Sequence, residues 1–307
     1  MMGYELMLPS ITLSNVTASV MVVTAPDEQV ITIFRAIVIG IVQGLTEFLP
    51  ISSTAHVKVV PVVLGWGDPG VAFTAVIQLG SVAAILWYFW DDLSSVTMKF
   101  LKAGIAQQFS SPDFRLGLGI LLGTLPIVVI GLYLKLFVPG YEDSVVRTTA
   151  AIAITSIVMA ILLAIAELIG RRKRDFTNLG LSDGILVGIA QAFALVPGSS
   201  RSGSTLTAGL FIGLERETAA RFSFLLGMPA ILISGLVSIR GVVGEGSSVA
   251  LLPLLAGLAA AVVSSYAAIA WLIEFLKKHS TWVFVWYRLA FGAVLLIAIA
   301  TNTIKNI

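Results

Sequence analysis

The sequence predicts an all-α polytopic membrane protein: six full spans plus two re-entrant helix pairs, arranged as an inverted repeat. Three observations carry that expectation. Of 307 residues, 57% are hydrophobic and 12% charged, with a mean hydropathy of +0.98, whereas a soluble domain carries about 25% charge. Six apolar segments reach the ~20 residues that a helix needs to cross the hydrocarbon core: 71–90, 116–138, 147–169, 217–239, 249–276 and 282–303. Two further apolar stretches, 30–65 and 183–214, are each interrupted by proline and a hydroxyl-rich run.

In chain order, residues 1–29 come first. They hold a weak apolar run, Val16–Val23, with no Lys or Arg before Arg35. A signal peptide wants a positive start, so this segment reads as an N-terminal extension. Asn15-Val-Thr17 matches a glycosylation pattern, but a match so short carries little weight. Residues 30–65 break at Pro50 and Ser52-Ser53-Thr54, and 183–214 break at Pro197-Gly198-Ser199-Ser200-Arg201. Proline ends a helix at or before its preceding residue. Each stretch therefore reads as two half-helices joined at a polar elbow, tolerated at membrane depth only where protein or a water-filled cavity satisfies the backbone.

Positive charge orients the spans. Arg171-Arg172-Lys173-Arg174 and Lys277-Lys278 should be cytoplasmic. Counting spans puts 91–115, with Lys99, Lys102 and Arg115, on the same side, and Glu142-Asp143 and the 240–248 loop outside. These assignments agree if both broken stretches return to the side they entered. The elbows also resemble each other. Gly40-Ile41-Val42-Gln43 precedes the first and Gly188-Ile189-Ala190-Gln191 the second, an offset of 188 − 40 = 148. Leu79-Gly80 and Leu226-Gly227 match at 147. The chain divides into 30–169 and 183–303, each a re-entrant pair plus three spans within one membrane domain. Three is odd, so the halves are inverted, and such repeats place binding sites near the midplane where they meet.

Chemistry concentrates at the elbows. A half-helix that starts at each elbow leaves its first amides unpaired and attracts anions, phosphate above all. Ser52, Ser53 and Thr54 add hydroxyls on one side; Ser199, Ser200, Arg201 and Ser202 add hydroxyls and a guanidinium on the other. Capping alone explains one hydroxyl per elbow, not three and an arginine inside a membrane. Gln43 and Glu47 stand i, i+4 on one helix face. Glu47 is either a protonated carboxyl bonded to Gln43 or a cation ligand or general base beside the anion. His56, about one turn into the second half-helix, could act as base, acid or nucleophile. The remaining charges look ordinary. Glu215, Arg216, Glu217 and Arg221 read as a solvated helix start, and Glu167 and Glu274 as span-end groups that reach water. His279 reads as a loop residue, and Lys58 either snorkels or faces the cavity. Trp87, Tyr88, Trp90, Trp282, Trp286 and Tyr287 read as interfacial belts. The chain has no cysteine, which excludes disulfides, thiolate zinc and iron–sulfur sites. Two distant histidines do not make a metal cluster, but a hard cation held by oxygens remains open.

At these residues the sequence resembles the undecaprenyl-diphosphate phosphatase family, the integral-membrane bacitracin-resistance phosphatases. The first motif appears as Gln43-Gly-Leu-Thr-Glu47 followed by Phe48-Leu-Pro-Ile-Ser-Ser-Thr-Ala-His56. The second appears as Pro197-Gly198-Ser199-Ser200-Arg201-Ser202-Gly203. The resemblance covers about residues 33–300. Many members carry Glu where this chain has Gln43, so this site has one carboxylate fewer. The resemblance implies hydrolysis of undecaprenyl diphosphate to the monophosphate and inorganic phosphate, which recycles the lipid carrier of cell-wall synthesis. It also implies a divalent cation (Mg²⁺ or Ca²⁺), a bacterial plasma-membrane location with the site facing outside, and a homodimer; no nucleic-acid partner is expected. By motif position Glu47, Ser53, His56 and Arg201 are the catalytic candidates. Ser52, Thr54, Gly198, Ser199, Ser200 and Ser202 are the phosphate-binding candidates, and Glu47 and Gln43 the metal candidates. One rival reading is a transporter or flippase for an anionic substrate, which the inverted repeat alone would also suit. A second rival, a type 2 phosphatidic acid phosphatase, would pair its Ser-Arg with a later His-x-x-x-Asp, and no histidine follows Arg201 until His279.

Overall fold

The structure, a computed structural model, describes residues 31–141, 144–243 and 251–306. The expected N-terminal extension, the Glu142-Asp143 pair and most of the 240–248 loop lie outside the described residues. The described chain is helical: α1 (Ile33–Phe48), α2 (Ser53–Val63), α3 (Val71–Tyr88), α4 (Trp90–Ile105), α5 (Pro112–Phe137), α6 (Thr149–Ile169), α7 (Leu181–Ala192), α8 (Arg201–Phe211), α9 (Arg216–Val243), α10 (Leu251–Lys278) and α11 (Trp282–Ala300).

Local chemistry sets the ends of these helices. Thr32 caps α1 by accepting from the Arg35 amide at 3.3 Å, and α1 stops where Leu49, the residue before Pro50, turns extended. Ser111 caps α5, with Pro112 in its first turn, and Thr148 caps α6. Five helices are long and apolar enough to cross a membrane: α5, α6, α9 as far as Val237, α10 and α11. They coincide with five of the six expected spans, and the chain is a multi-pass membrane protein. The stretch expected to cross at 71–90 is α3, which ends at Tyr88 and bends by 76° into α4. The expected loop 91–115 is therefore largely helix. Asp91 and Asp92 fall in the first turn of α4, where carboxylates suit the helix dipole, and Arg221 holds Asp92 at 2.8 Å.

Both interrupted stretches are helix–elbow–helix units. α1 packs on α10, and α7 on α5. Glycine makes both contacts possible. A Cβ on Gly40 would lie 2.2 Å from the Gly257 carbonyl oxygen, and one on Gly188 2.2 Å from that of Gly123. Without a hydrophobic drive between helices in lipid, such close backbone approach is a main source of association. Phe48, Phe224, Leu206 and Leu163 belong to one buried core that runs behind the elbows.

One span-end expectation fails. Glu167 does not reach water but is buried. It pairs with Arg172 at 3.1 Å, with Arg216, and accepts from the Thr281 hydroxyl at 2.8 Å. A buried carboxylate needs such partners. Arg216, expected to be solvated, thus closes an internal ion pair. Lys58 donates to the Arg147 carbonyl at 2.8 Å and ties α2 to the turn before α6.

Candidate active site

The two elbows face one cavity of about 630 Å³. At the first, Ser52 adopts φ 76° and its hydroxyl caps α2 through the Ala55 amide at 3.4 Å. At the second, Gly198 has φ 90° and Ser200 φ 68°, and the Ser200 hydroxyl caps α8 through the Gly203 amide at 3.0 Å. Gly198 has a second reason to lack a side chain: a Cβ would meet the Ile152 carbonyl oxygen at 2.5 Å. Each left-handed serine turns the chain sharply, so α2 and α8 both start at the cavity. Their first-turn amides, at Ser53 and Thr54 and at Arg201 and Ser202, have no acceptor within their own helix.

Glu47 is the hub of the site. It is buried, and its Oε2 accepts from the Ser53 hydroxyl at 2.7 Å and from Gln43 Nε2 at 2.9 Å. Its Oε1 accepts from Gln78 Nε2 at 3.0 Å and Arg201 Nη2 at 3.3 Å. The carboxylate is therefore bonded both to a hydroxyl on one elbow and to the guanidinium of the other. Arg201 Nη1 donates to the Ser223 carbonyl at 3.3 Å, whereas its Nε is buried without a partner. A Cβ on Gly227 would sit 1.6 Å from Arg201 Nη1, so glycine there makes room for the guanidinium. The Ser202 hydroxyl donates to the Leu49 carbonyl at 3.0 Å and fastens α8 to the first elbow.

The candidates divide by position. Glu47, Ser52, Ser53, Thr54, Gly198, Ser200 and Arg201 line the cavity. Ser199 spends its hydroxyl on the Phe193 and Val196 carbonyls, both at 2.7 Å; Ser202 and Gln43 stand behind the wall. His56 is also set back. Its Nδ1 contacts the Ser52 carbonyl at 2.8 Å, its Nε2 the Tyr287 hydroxyl at 2.6 Å, and its ring stacks on Phe291 with centroids 4.5 Å apart. A carbonyl only accepts, so Nδ1 carries the proton and Nε2 accepts from Tyr287. Tyr287 is thus no mere belt residue: its hydroxyl turns inward. Gln78 and Arg288 are absent from both motifs. Each is a polar side chain within an apolar span, a signal that singles out such positions.

The sequence profile of the family described as Bacitracin resistance protein BacA matches residues 36–294. The chain belongs to that family. Among curated relatives of this bacitracin-resistance family, it is 60% identical over 270 residues to an undecaprenyl-diphosphatase of Synechocystis, covering 88% of this chain and 83% of the relative. It is 56% identical over 281 residues to the undecaprenyl-diphosphatase of Trichodesmium erythraeum, covering 91% and 90%. The match spans both elbows and every helix of the cavity wall.

Among the described residues no group of three or more His, Cys, Asp or Glu is gathered to cage a metal ion. The donor set on the cavity wall is one carboxylate (Glu47), the Ser53 hydroxyl and the Gln78 amide; Gln43, the other metal candidate, stands behind it and donates to Glu47. That set fits a hard cation of the kind held by one carboxylate together with substrate phosphate oxygens.

Proposed function

We propose that this chain hydrolyses undecaprenyl diphosphate to undecaprenyl phosphate and inorganic phosphate, the reaction named for its relatives. One observation carries the reading: a serine hydroxyl bonded at 2.7 Å to a buried carboxylate, facing a cavity that two helix N-termini and Arg201 share. That is a nucleophile, a base and an electropositive cradle in one place. The terminal phosphate sits between the elbows, where the Arg201 guanidinium and the first-turn amides meet its oxygens. The polyisoprenyl tail runs along the apolar wall formed by Ile127, Leu132 and Leu134 of α5 and Ile231 and Val237 of α9.

Ser53 Oγ attacks the terminal phosphorus while Glu47 takes its proton. The bond from phosphorus to the bridging oxygen breaks, and undecaprenyl phosphate leaves. Water then attacks the phosphoserine, Glu47 returns its proton to the departing serine oxygen, and the water's two protons leave on inorganic phosphate as H₂PO₄⁻, which restores the Ser53 hydroxyl and the Glu47 carboxylate. Glu47 and Gln78, on the cavity wall, would hold a Mg²⁺ or Ca²⁺ ion, which supplies charge neutralisation to the phosphate oxygens, while Gln43 supports Glu47 from behind. His56, with both nitrogens engaged and its ring off the cavity wall, acts by holding the Ser52 carbonyl.

Several features support the inverted repeat. The two left-handed serine caps are related by 200 − 52 = 148 residues, the offset of the Gly-Ile-x-Gln segments, and α1 on α10 mirrors α7 on α5. Within this reading α1–α2 and α7–α8 are re-entrant, and α3 with the five long helices makes the six spans. Orientation follows from α6. Its N-cap, Thr148, follows Arg147 of the cavity wall, and its C-cap, Gly170, precedes Arg171-Arg172-Lys173-Arg174. Its 21 residues span about 31 Å at ~1.5 Å each, a whole hydrocarbon core. With the basic loop cytoplasmic, the cavity opens outside the plasma membrane. Exposed apolar helix faces suit a lipid partner and a second copy of the chain. The test is phosphate release from undecaprenyl diphosphate by purified protein in detergent, with and without EDTA, beside Glu47→Ala. Release that needs Glu47 and a divalent ion is expected. No release in detergent would overturn hydrolysis and favour transport of an anionic lipid, which needs two compartments.

A further inference from the structure

We propose that Arg288, on α11, is a positioning residue for this hydrolysis, setting the two elbows in one register and turning the Ser200 amide to the cavity. The proposal rests on the hydrolytic reading above. Arg288 is 0% exposed, the largest fully buried side chain described. Its partners are all backbone carbonyls. Nε donates to Ser156 at 3.2 Å, Nη1 to Pro50 at 3.2 Å, and Nη2 to Gly198 at 2.7 Å and Ser199 at 3.2 Å. Pro50 belongs to the first elbow, and Gly198 and Ser199 to the second. One rigid planar group therefore spans both elbows and fastens them to α6. A buried cation without a carboxylate partner is costly, and none of the ion pairs among the described residues includes Arg288. Its placement needs a reason beyond packing.

The geometry supplies one. In a trans peptide the carbonyl and the next amide point in opposite directions. Drawing the Ser199 carbonyl toward α11 turns the Ser200 amide the other way, and Ser200 lines the cavity while Arg288 does not. The neighbouring residue works alike: Tyr287 holds His56, and His56 holds the Ser52 carbonyl. Thus the carbonyls of Pro50, Ser52, Gly198 and Ser199 are all engaged on the α11 side, away from where a phosphate binds. Carbonyl oxygens facing a phosphate would repel it; amides attract it. Gly203 completes the fit. A Cβ there would lie 2.7 Å from Arg288 Nη1, so the last glycine of the Pro197–Gly203 motif gives the guanidinium its place. Ser53 and Arg201 ride on the two elbows, so Arg288 sets the distance between them without touching substrate.

The test uses full-length protein in detergent, with kcat and KM for undecaprenyl diphosphate expressed per folded molecule, and inhibition by inorganic phosphate measured alongside. Arg288→Lys keeps the charge but cannot span both elbows. Misplacing reacting groups by about 1 Å costs on the order of 100-fold in rate. A kcat lowered at least ~10-fold is expected, with phosphate inhibition weakened similarly. KM should change little, because the tail wall is intact. Gly203→Ala, which displaces the guanidinium without removing it, should show the same pattern in milder form. Wild-type kcat per folded molecule in Arg288→Lys would overturn the proposal. So would activity lost only in step with folded fraction, or failure of both variants to fold, since the role would then be structural. A wild-type protein that releases no phosphate would instead overturn the hydrolytic reading itself.

Discussion

Glu47 receives four hydrogen bonds from four different segments: Gln43 in its own helix, Ser53 on the elbow, Gln78 on α3 and Arg201 on α8. No single one of them defines its job, so substitutions must separate the roles. Ser53→Ala removes the attacking oxygen and should lower kcat by ~10³-fold or more, as loss of a nucleophile does elsewhere. Near-wild-type turnover would sink the serine mechanism. His56→Asn is the sharper probe of the histidine. The asparagine amide can take the place of Nδ1 and keep the bond to the Ser52 carbonyl, but it is neither a nucleophile nor an acid. Turnover within ~10-fold of wild type is expected if the imidazole only holds the elbow; loss comparable to Ser53→Ala would make it a chemical participant. Arg201→Lys should cost ~10²–10³-fold, since a point charge cannot replace a planar fork that already bonds Glu47 and Ser223. These residues were legible in sequence because charge and hydroxyls stand out in an apolar chain. Arg288 and Gln78 carried the same signal but lay outside any motif. Ser199 and His56 were visible as types, but which way each side chain faces depends on contacts with Phe193 and Tyr287 that no spacing reveals.

Among the helices, the breaks were readable and the bends were not. Pro50 and Pro197 announce elbows because proline cannot continue a helix. The 76° turn between α3 and α4 has no proline; it follows from Asp91 and Asp92 starting a new helix where Arg221 of α9 waits for one of them. That contact spans 129 residues and has no local signature. The repeated Gly-Ile-x-Gln segments, by contrast, now have a physical cause. Their glycines are the points where α1 meets α10 and α7 meets α5. Gly188→Val should therefore lower the melting temperature in detergent. Overpacking typically costs ~1–3 kcal/mol, and here the obstacle is backbone, which cannot rotate away. Activity should fall too, because α7 carries the second elbow. An unchanged melting temperature would mean that the α5–α7 approach contributes nothing to stability.

Across the whole molecule, α6 links the cavity to the basic loop. Thr148, which caps it, follows Arg147 on the cavity wall, and Gly170, which ends it, precedes four consecutive cationic residues. If the basic loop is cytoplasmic, as its charge favours, the proposed cavity mouth opens on the opposite side, and that is a prediction cysteine labelling can check. The chain has no cysteine, so single cysteines report position without background. Val145 is 81% exposed, two residues before Arg147 of the cavity wall, and Lys173 lies in the basic loop. In intact cells a membrane-impermeant maleimide should label Val145→Cys, while Lys173→Cys should react only after the membrane is opened. Neither site takes part in the cradle, so both variants should keep phosphate release near wild type. If the two label from the same side, α6 does not cross the membrane as one span. If Lys173→Cys labels from outside and Val145→Cys does not, the cavity opens to the cytoplasm, and the substrate would have to be drawn from the inner leaflet.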